Sequence, residues 1–113
     1  MALPKKHRIK SRKDLDRVFK AGRSFRSRLL LVKVSKNSFP FCRGAVIVPS
    51  KFIQNAVLRN KIKRIIFSVL ASAFTFCKVH VDVVVVVQAS FKENKFLEAK
   101  ESLLEIFRKA NIV

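Results

Sequence analysis

The chain has 113 residues, half of them apolar, and carries 25 Lys and Arg against 7 Asp and Glu, for a formal net charge of +18. That length and apolar share suit a single domain spanning 1–113, with a core that needs neither metal nor disulfide. Side-chain acid–base catalysis is disfavoured because acids are scarce, membrane spanning because the longest apolar run, Val83 to Val87, is too short, and a disulfide or zinc scaffold because Cys42 and Cys77 lack metal-ligand spacing.

The N-terminus is basic from Lys5 onward with no signal-type apolar stretch behind it, so a cytoplasmic location is expected, and residues 1–10 form a basic segment that anions can order. Ser11 followed by Asp14 resembles a capping box with the shorter acid, and Gly22 suits a C′ position. Residues 12–21 are therefore predicted as a helix with Leu15, Val18 and Phe19 inward. Beyond RSFRSR, Leu29 to Val34 alternates as a strand, with Leu30, Val32 and Val34 on one face and Leu29, Leu31 and Lys33 on the other. Asn37, Ser38 and Pro40 mark a turn, and Gly44 to Val48 reads as a second strand, stopped by Pro49. Asn55 caps a long helix running to about Phe76. Val79 to Gln88 is so continuously apolar that both faces of this strand must be covered. Ser90-Phe91-Lys92-Glu93 then reads as a capping box opening a last helix, with Phe96, Leu97, Lys100, Leu103, Leu104 and Phe107 as its stripe and Glu93, Glu98, Glu101 and Glu105 solvated.

Function is most legible in the long helix. At 3.6 residues per turn Leu58, Ile62, Ile65, Ile66, Val69 and Ala73 form an apolar stripe, while Arg59, Asn60, Lys63 and Arg64 gather opposite. No Asp or Glu lies between Lys51 and Lys78, so no i,i+4 acid relieves these cations. Over the whole chain, residues 1–64 hold 19 of the cations against Asp14 and Asp16, whereas residues 65–113 hold 6 against 5 acids. Such a field steers polyanions, and nucleic acid is the leading partner class. Anionic lipid is the weaker reading, because the apolar face has a core to fill; a helix kept basic only for solubility is the bland one. For chemistry, His7 sits in the basic tail, His80 reads as a structural histidine in an apolar strand, and both cysteines read as buried small hydrophobes. Two glycines cannot make a phosphate loop.

Asn55-Ala56-Val57-Leu58-Arg59-Asn60-Lys61-Ile62-Lys63-Arg64 resembles the basic signature of the protein subunit of bacterial ribonuclease P. Leu3-Pro4-Lys5, Arg8, Arg12-Lys13-Asp14-Leu15 and Val18 to Ser24 are similar to that family's opening, and Ser50-Lys51 and a short final helix complete a resemblance over essentially the whole chain. The resemblance implies an α+β fold, αβββαβα, with a mixed central sheet and a left-handed βαβ crossover shared with a ribosomal-protein domain. Strand connectivity alone would favour the right-handed crossover. It also implies a subunit whose partner RNA is catalytic, holds the magnesium ions and removes the 5′ leader from precursor tRNA. No DNA or membrane partner is implied. Arg59, Asn60, Lys61, Lys63 and Arg64 would lie against the catalytic RNA. Leu15, Phe19, Lys33 and Lys51 would line or border the leader cleft, and Arg8, Arg12 and Lys13 would add basic contacts.

Several positions depart from the family's pattern. Leu15 replaces the usual Phe and Lys33 a common aromatic, leaving Phe19 as the expected stacking residue and implying a more electrostatic leader grip. Phe67 projects on the basic face where Arg is usual, either stacking on RNA or covered by a neighbouring segment, and Pro49 and Phe52 alter the turn that aims Lys51. Two alternatives remain open: a generic ribosomal-type RNA-binding module without a ribozyme, and a metal nuclease, for which Asp14, Asp16 and Asp82 are too few and scattered.

Overall fold

The computed structural model describes residues 4–112. Its main elements in chain order are α1 (Arg12–Ala21), β1 (Arg23–Arg26), β2 (Leu30–Lys36), β3 (Arg43–Ile47), α2 (Ala56–Thr75), β4 (Val81–Val87) and α3 (Phe96–Lys109). The strands form one mixed sheet in the order β1-β2-β4-β3, with β3 parallel to β4 and the other pairs antiparallel. This is the αβββαβα order, and α2 is the crossover between the parallel neighbours β3 and β4.

The sheet separates two apolar layers. Leu30, Val32 and Val34 of β2 and Val83, Val85 and Val87 of β4 face α2 and α3 in the larger one, with Ile62, Ile66, Leu70, Leu103 and Phe107. On the opposite face Val84 and Ala45 meet Val18 of α1, with Ile9, Leu15, Phe19, Ile47 and Val86 around them. β4 is thus covered on both sides, which explains its near-continuous valines. Gly44 lets α2 close onto β3: a Cβ there would stand 2.9 Å from Leu70 Cδ1 and 3.2 Å from Phe74 Cζ. Gly22 closes α1 directly after Ala21, as expected, in extended conformation with φ −75° and ψ 150°. Glycine is required there because a Cβ would meet the Val18 carbonyl oxygen at 2.4 Å.

Four further expectations change. RSFRSR contains β1, whose residues are largely exposed and so show no alternation. His80 is exposed and precedes β4. The capping box at Ser90 is not formed: Glu93–Lys95 makes a 3-10 turn, Glu93 pairs with Lys61, and α3 starts at Phe96 without a side-chain cap. The buried stripe of α3 consequently runs through Phe96, Ala99, Leu103, Ile106 and Phe107, leaving Leu97 and Lys100 outside. Within the basic N-terminal segment, residues 4–10 are docked. Lys5–His7 forms a 3-10 turn, Ile9 is buried, and the Ile9 amide donates to the Gly44 carbonyl at 2.9 Å along the edge of β3. Residues 1–3 lie outside the described part.

Candidate nucleic-acid interface

α2 opens on Asn55, whose Oδ1 accepts from the amides of Val57 at 2.9 Å and Leu58 at 3.2 Å. With no acid in the first turn, the positive end of the helix dipole adds to the side-chain cations instead of being offset. The predicted cations divide by what they touch. Arg59 folds back, Nη1 donating to the carbonyls of Ile53 at 3.0 Å and Gln54 at 2.7 Å, so it braces the turn leading into α2. Lys61 is ion-paired with Glu93. Asn60 and Arg64 are exposed, Lys63 is half-buried, and neither Lys63 nor Arg64 makes an ion pair among the described residues.

Phe67 is covered by a neighbouring segment. The Arg8 guanidinium lies 5.4 Å from its ring centroid, and the ring packs against the main core. Arg8 in turn is held in place by the bridge between its backbone and Gly44.

The second surface is a groove of about 460 Å³ beside α1, lined by Lys10, Arg12, Leu15, Asp16, Phe19 and Ile47. Arg12, Leu15, Asp16 and Phe19 fall at i, i+3, i+4 and i+7 of one helix, so a single face of α1 supplies most of the wall. Leu15 and Phe19 are brought together as expected. Lys33 lies on the same sheet face, between Ser24 of β1 and Val84 of β4, but outside the groove lining. Lys51 sits in the turn after β3, its ammonium 5.0 Å from the Phe52 ring centroid, and Lys13 is exposed on α1; neither lines the groove. Lys10, Asp16 and Ile47 are additions that sequence reasoning missed, although the helical spacing of Asp16 with Arg12 could have revealed it.

The opposite flank of α1 is anchored by charge. Asp82, fully buried on β4, accepts from Arg43 Nε at 3.0 Å and Nη2 at 2.7 Å, from Arg17 Nη2 at 2.8 Å and from Asn37 Nδ2 at 2.8 Å. Arg43 Nη1 also reaches Asp14 of α1 at 3.2 Å. Burial pushes the Asp82 carboxyl up, but the hydrogen bonds and charges of Arg43, Asn37 and Arg17 outweigh it and hold the pKa below its ordinary value; the bond to Asp82, with a smaller part from Asp14, raises that of Arg43 against its own burial. Because Val18 is the only fully buried residue of α1, worth roughly 1.5–3 kcal/mol, this network is a principal tether of the helix and hence of the groove. The acids weighed as metal ligands are occupied differently: Asp14 and Asp82 serve arginines, and Asp16 lines the groove. Among the described residues no three His, Cys, Asp or Glu side chains gather where they could hold a metal ion.

Asn60, Lys63 and Arg64 supply ammonium, guanidinium and amide donors for phosphates and base or ribose edges. The groove offers an apolar wall of Leu15, Phe19 and Ile47 flanked by Lys10 and Arg12, chemistry matched to an unstacked base with its phosphate. The family described as Ribonuclease P matches residues 3–111. The chain is 32% identical to the ribonuclease P protein component of Bacillus cereus over 97% of this chain and 96% of that protein, and 33% identical to that of a Geobacillus species over 96% and 93%. A solved structure of a Staphylococcus aureus RNase P protein mutant superposes with a TM-score of 0.86 at 30% identity, covering 96% of this chain and 92% of that one. The Thermotoga maritima RNase P protein, at 24% identity and a TM-score of 0.73, covers 90% of this chain and 96% of its own and shares the fold. Matched along nearly its whole length in sequence and in structure, the chain belongs to the ribonuclease P protein component family.

Proposed function

We propose that the chain binds the catalytic RNA of a ribonuclease P through Asn60, Lys63 and Arg64, and the 5′ leader of precursor tRNA through the groove beside α1. In this role it assists endonucleolytic removal of the leader to give the mature tRNA 5′ end. Magnesium and the hydrolytic step belong to the RNA; the protein neutralises phosphates and positions the leader. The observation that carries the reading is an acid-free cationic face of α2 in a chain that matches the family from residue 3 to 111. Arg59 and Lys61 play a supporting part, one bracing the turn into the helix and the other tying α2 to the segment before α3. Leu15 and Phe19 form the wall against which a leader base stacks, Arg12 and Lys10 flank it, and Lys33 and Lys51 lie beyond its rim as long-range phosphate attractors.

Precursor-tRNA cleavage at low magnesium by a bacterial ribonuclease P RNA, with and without this protein, tests the proposal. Stimulation by the wild type that Lys63→Ala/Arg64→Ala loses is the expected result; neither side chain makes an ion pair among the described residues, so the fold should survive. RNA binding without stimulation would refute the cofactor role and favour a ribosomal-type binding module.

A further inference from the structure

A second groove, of about 330 Å³, runs along the seam between α2 and α3 and is lined by Arg64, Ile65, Ser68 and Lys100. Two cations from different helices and the hydroxyl-bearing Ser68 line this space, and no carboxylate does. Nearby acids are committed elsewhere: Glu93 to Lys61, Glu98 to Arg28 and Lys95, and Glu105 to Lys109. Glu101 is adjacent to Lys100 in sequence but about 100° further round the helix. Neither Arg64 nor Lys100 makes an ion pair among the described residues. The apolar stripe expected for α3 included Lys100, yet the start of α3 at Phe96 turns this residue out beside the basic face of α2.

We infer that the seam is a phosphate-binding groove for structured RNA, in which Arg64 and Lys100 grip one backbone phosphate and the Ser68 hydroxyl donates to it, so that the RNA surface of α2 continues onto α3. The inference rests on the proposed role in binding ribonuclease P RNA. A carboxylate ligand fits less well, because a polyanion is what the surrounding field attracts over distance. Arg64 supplies a forked donor and Lys100 a point charge, an asymmetric pair suited to a phosphate approached from one side.

The test measures binding of the full chain to a bacterial ribonuclease P RNA, and to an unrelated structured RNA of equal length, over a salt series. Lys100→Ala should weaken binding roughly 5- to 10-fold near 0.1 M salt and lower the slope of log affinity against log salt by less than about one, since Arg64 still meets the shared phosphate. Lys78→Ala, which removes the same charge from an exposed site beyond the far end of α2, should change affinity by less than about twofold. If Arg64 and Lys100 share one phosphate, the double alanine variant loses less than the product of the single losses. Loss on Lys63→Ala/Arg64→Ala with Lys100→Ala indistinguishable from Lys78→Ala would overturn the seam and leave the proposed function standing. Wild type binding both RNAs equally would refute the proposed function and the seam with it. An unchanged melting temperature for Lys100→Ala assigns any loss to contact rather than folding.

Discussion

Removing Asp82 isolates the tether that positions the groove. Asp82→Ala deletes an acceptor serving Arg43, Arg17 and Asn37. Arg17, with a side chain 43% exposed, can swing into water, whereas Arg43 is only 11% exposed and keeps Asp14 as its carboxylate partner and the Phe39 ring 4.3 Å from its guanidinium. Stranding a largely buried guanidinium costs about 3–5 kcal/mol, with the remaining Asp14 contact favouring the lower end. With an unfolding entropy of about 2.1 cal/mol/K per residue over 113 residues, each kcal/mol moves the midpoint by about 4 °C, so a drop of roughly 12–20 °C is expected. Urea unfolding followed by circular dichroism gives the free energy, and an unchanged m value would show that the compactness of both states is preserved. Asp82→Leu/Arg43→Met, which replaces the ion pair by apolar groups of similar size, should recover most of the loss. An Asp82→Ala variant within about 1 kcal/mol of wild type would refute the view that this network anchors α1, and a double variant no better than the single would refute the stranded Arg43 guanidinium as the source of the loss.

The same carboxylate sets an acid limb. Its pKa is depressed in the folded protein, so its stabilising contribution is complete above the ordinary aspartate range and disappears as pH falls through the folded value; unfolding free energies should fall below about pH 4, and a profile flat to about pH 2 would contradict this. Phe67→Ala should lower stability by about 1–3 kcal/mol while changing RNA affinity less than twofold, because the ring packs on the core under Arg8; the reverse pattern in paired melting and binding measurements would make it an RNA-stacking residue. For a single-stranded leader oligonucleotide, Phe19→Ala should cost roughly 1–3 kcal/mol of affinity and Asp16→Ala should improve it a few-fold, since one loses a stacking surface and the other a charge that repels phosphate; equal small effects in a fluorescence titration would place the leader elsewhere. Burial pushes the Cys42 thiol up to about 12, so alkylation near pH 8 should modify half-exposed Cys77 well before Cys42, as mass mapping of the peptides would reveal.

The elements legible in the sequence were those whose own residues carry a period or a cap. α1 and α2 followed from Ser11, Asn55 and their apolar spacing, and β4 from its valines, because local patterning reflects which face is buried. β1 carried no such mark, since only Phe25 turns partly inward and its pairing is supplied by β2. The α3 boundary was misread because Glu93 has a better partner in Lys61, a residue 32 positions away that no local motif can report.

By itself the sequence determined the charge asymmetry, the cationic face of α2 and the membership that its signature residues imply, all properties of composition and short-range spacing. Only the tertiary structure decided which of these cations the protein itself engages. Arg59 and Lys61 look equivalent to Lys63 and Arg64 along the chain, yet the first pair is engaged by Ile53, Gln54 and Glu93 while the second makes no ion pair among the described residues. It also decided that a lone aspartate among valines would gather two arginines and an asparagine from three other segments, and that Lys100 would stand beside Arg64. The physical reason is that a buried or clustered charge is stabilised by whatever the fold brings within hydrogen-bonding distance, and partners separated by tens of residues leave no periodic trace in the sequence.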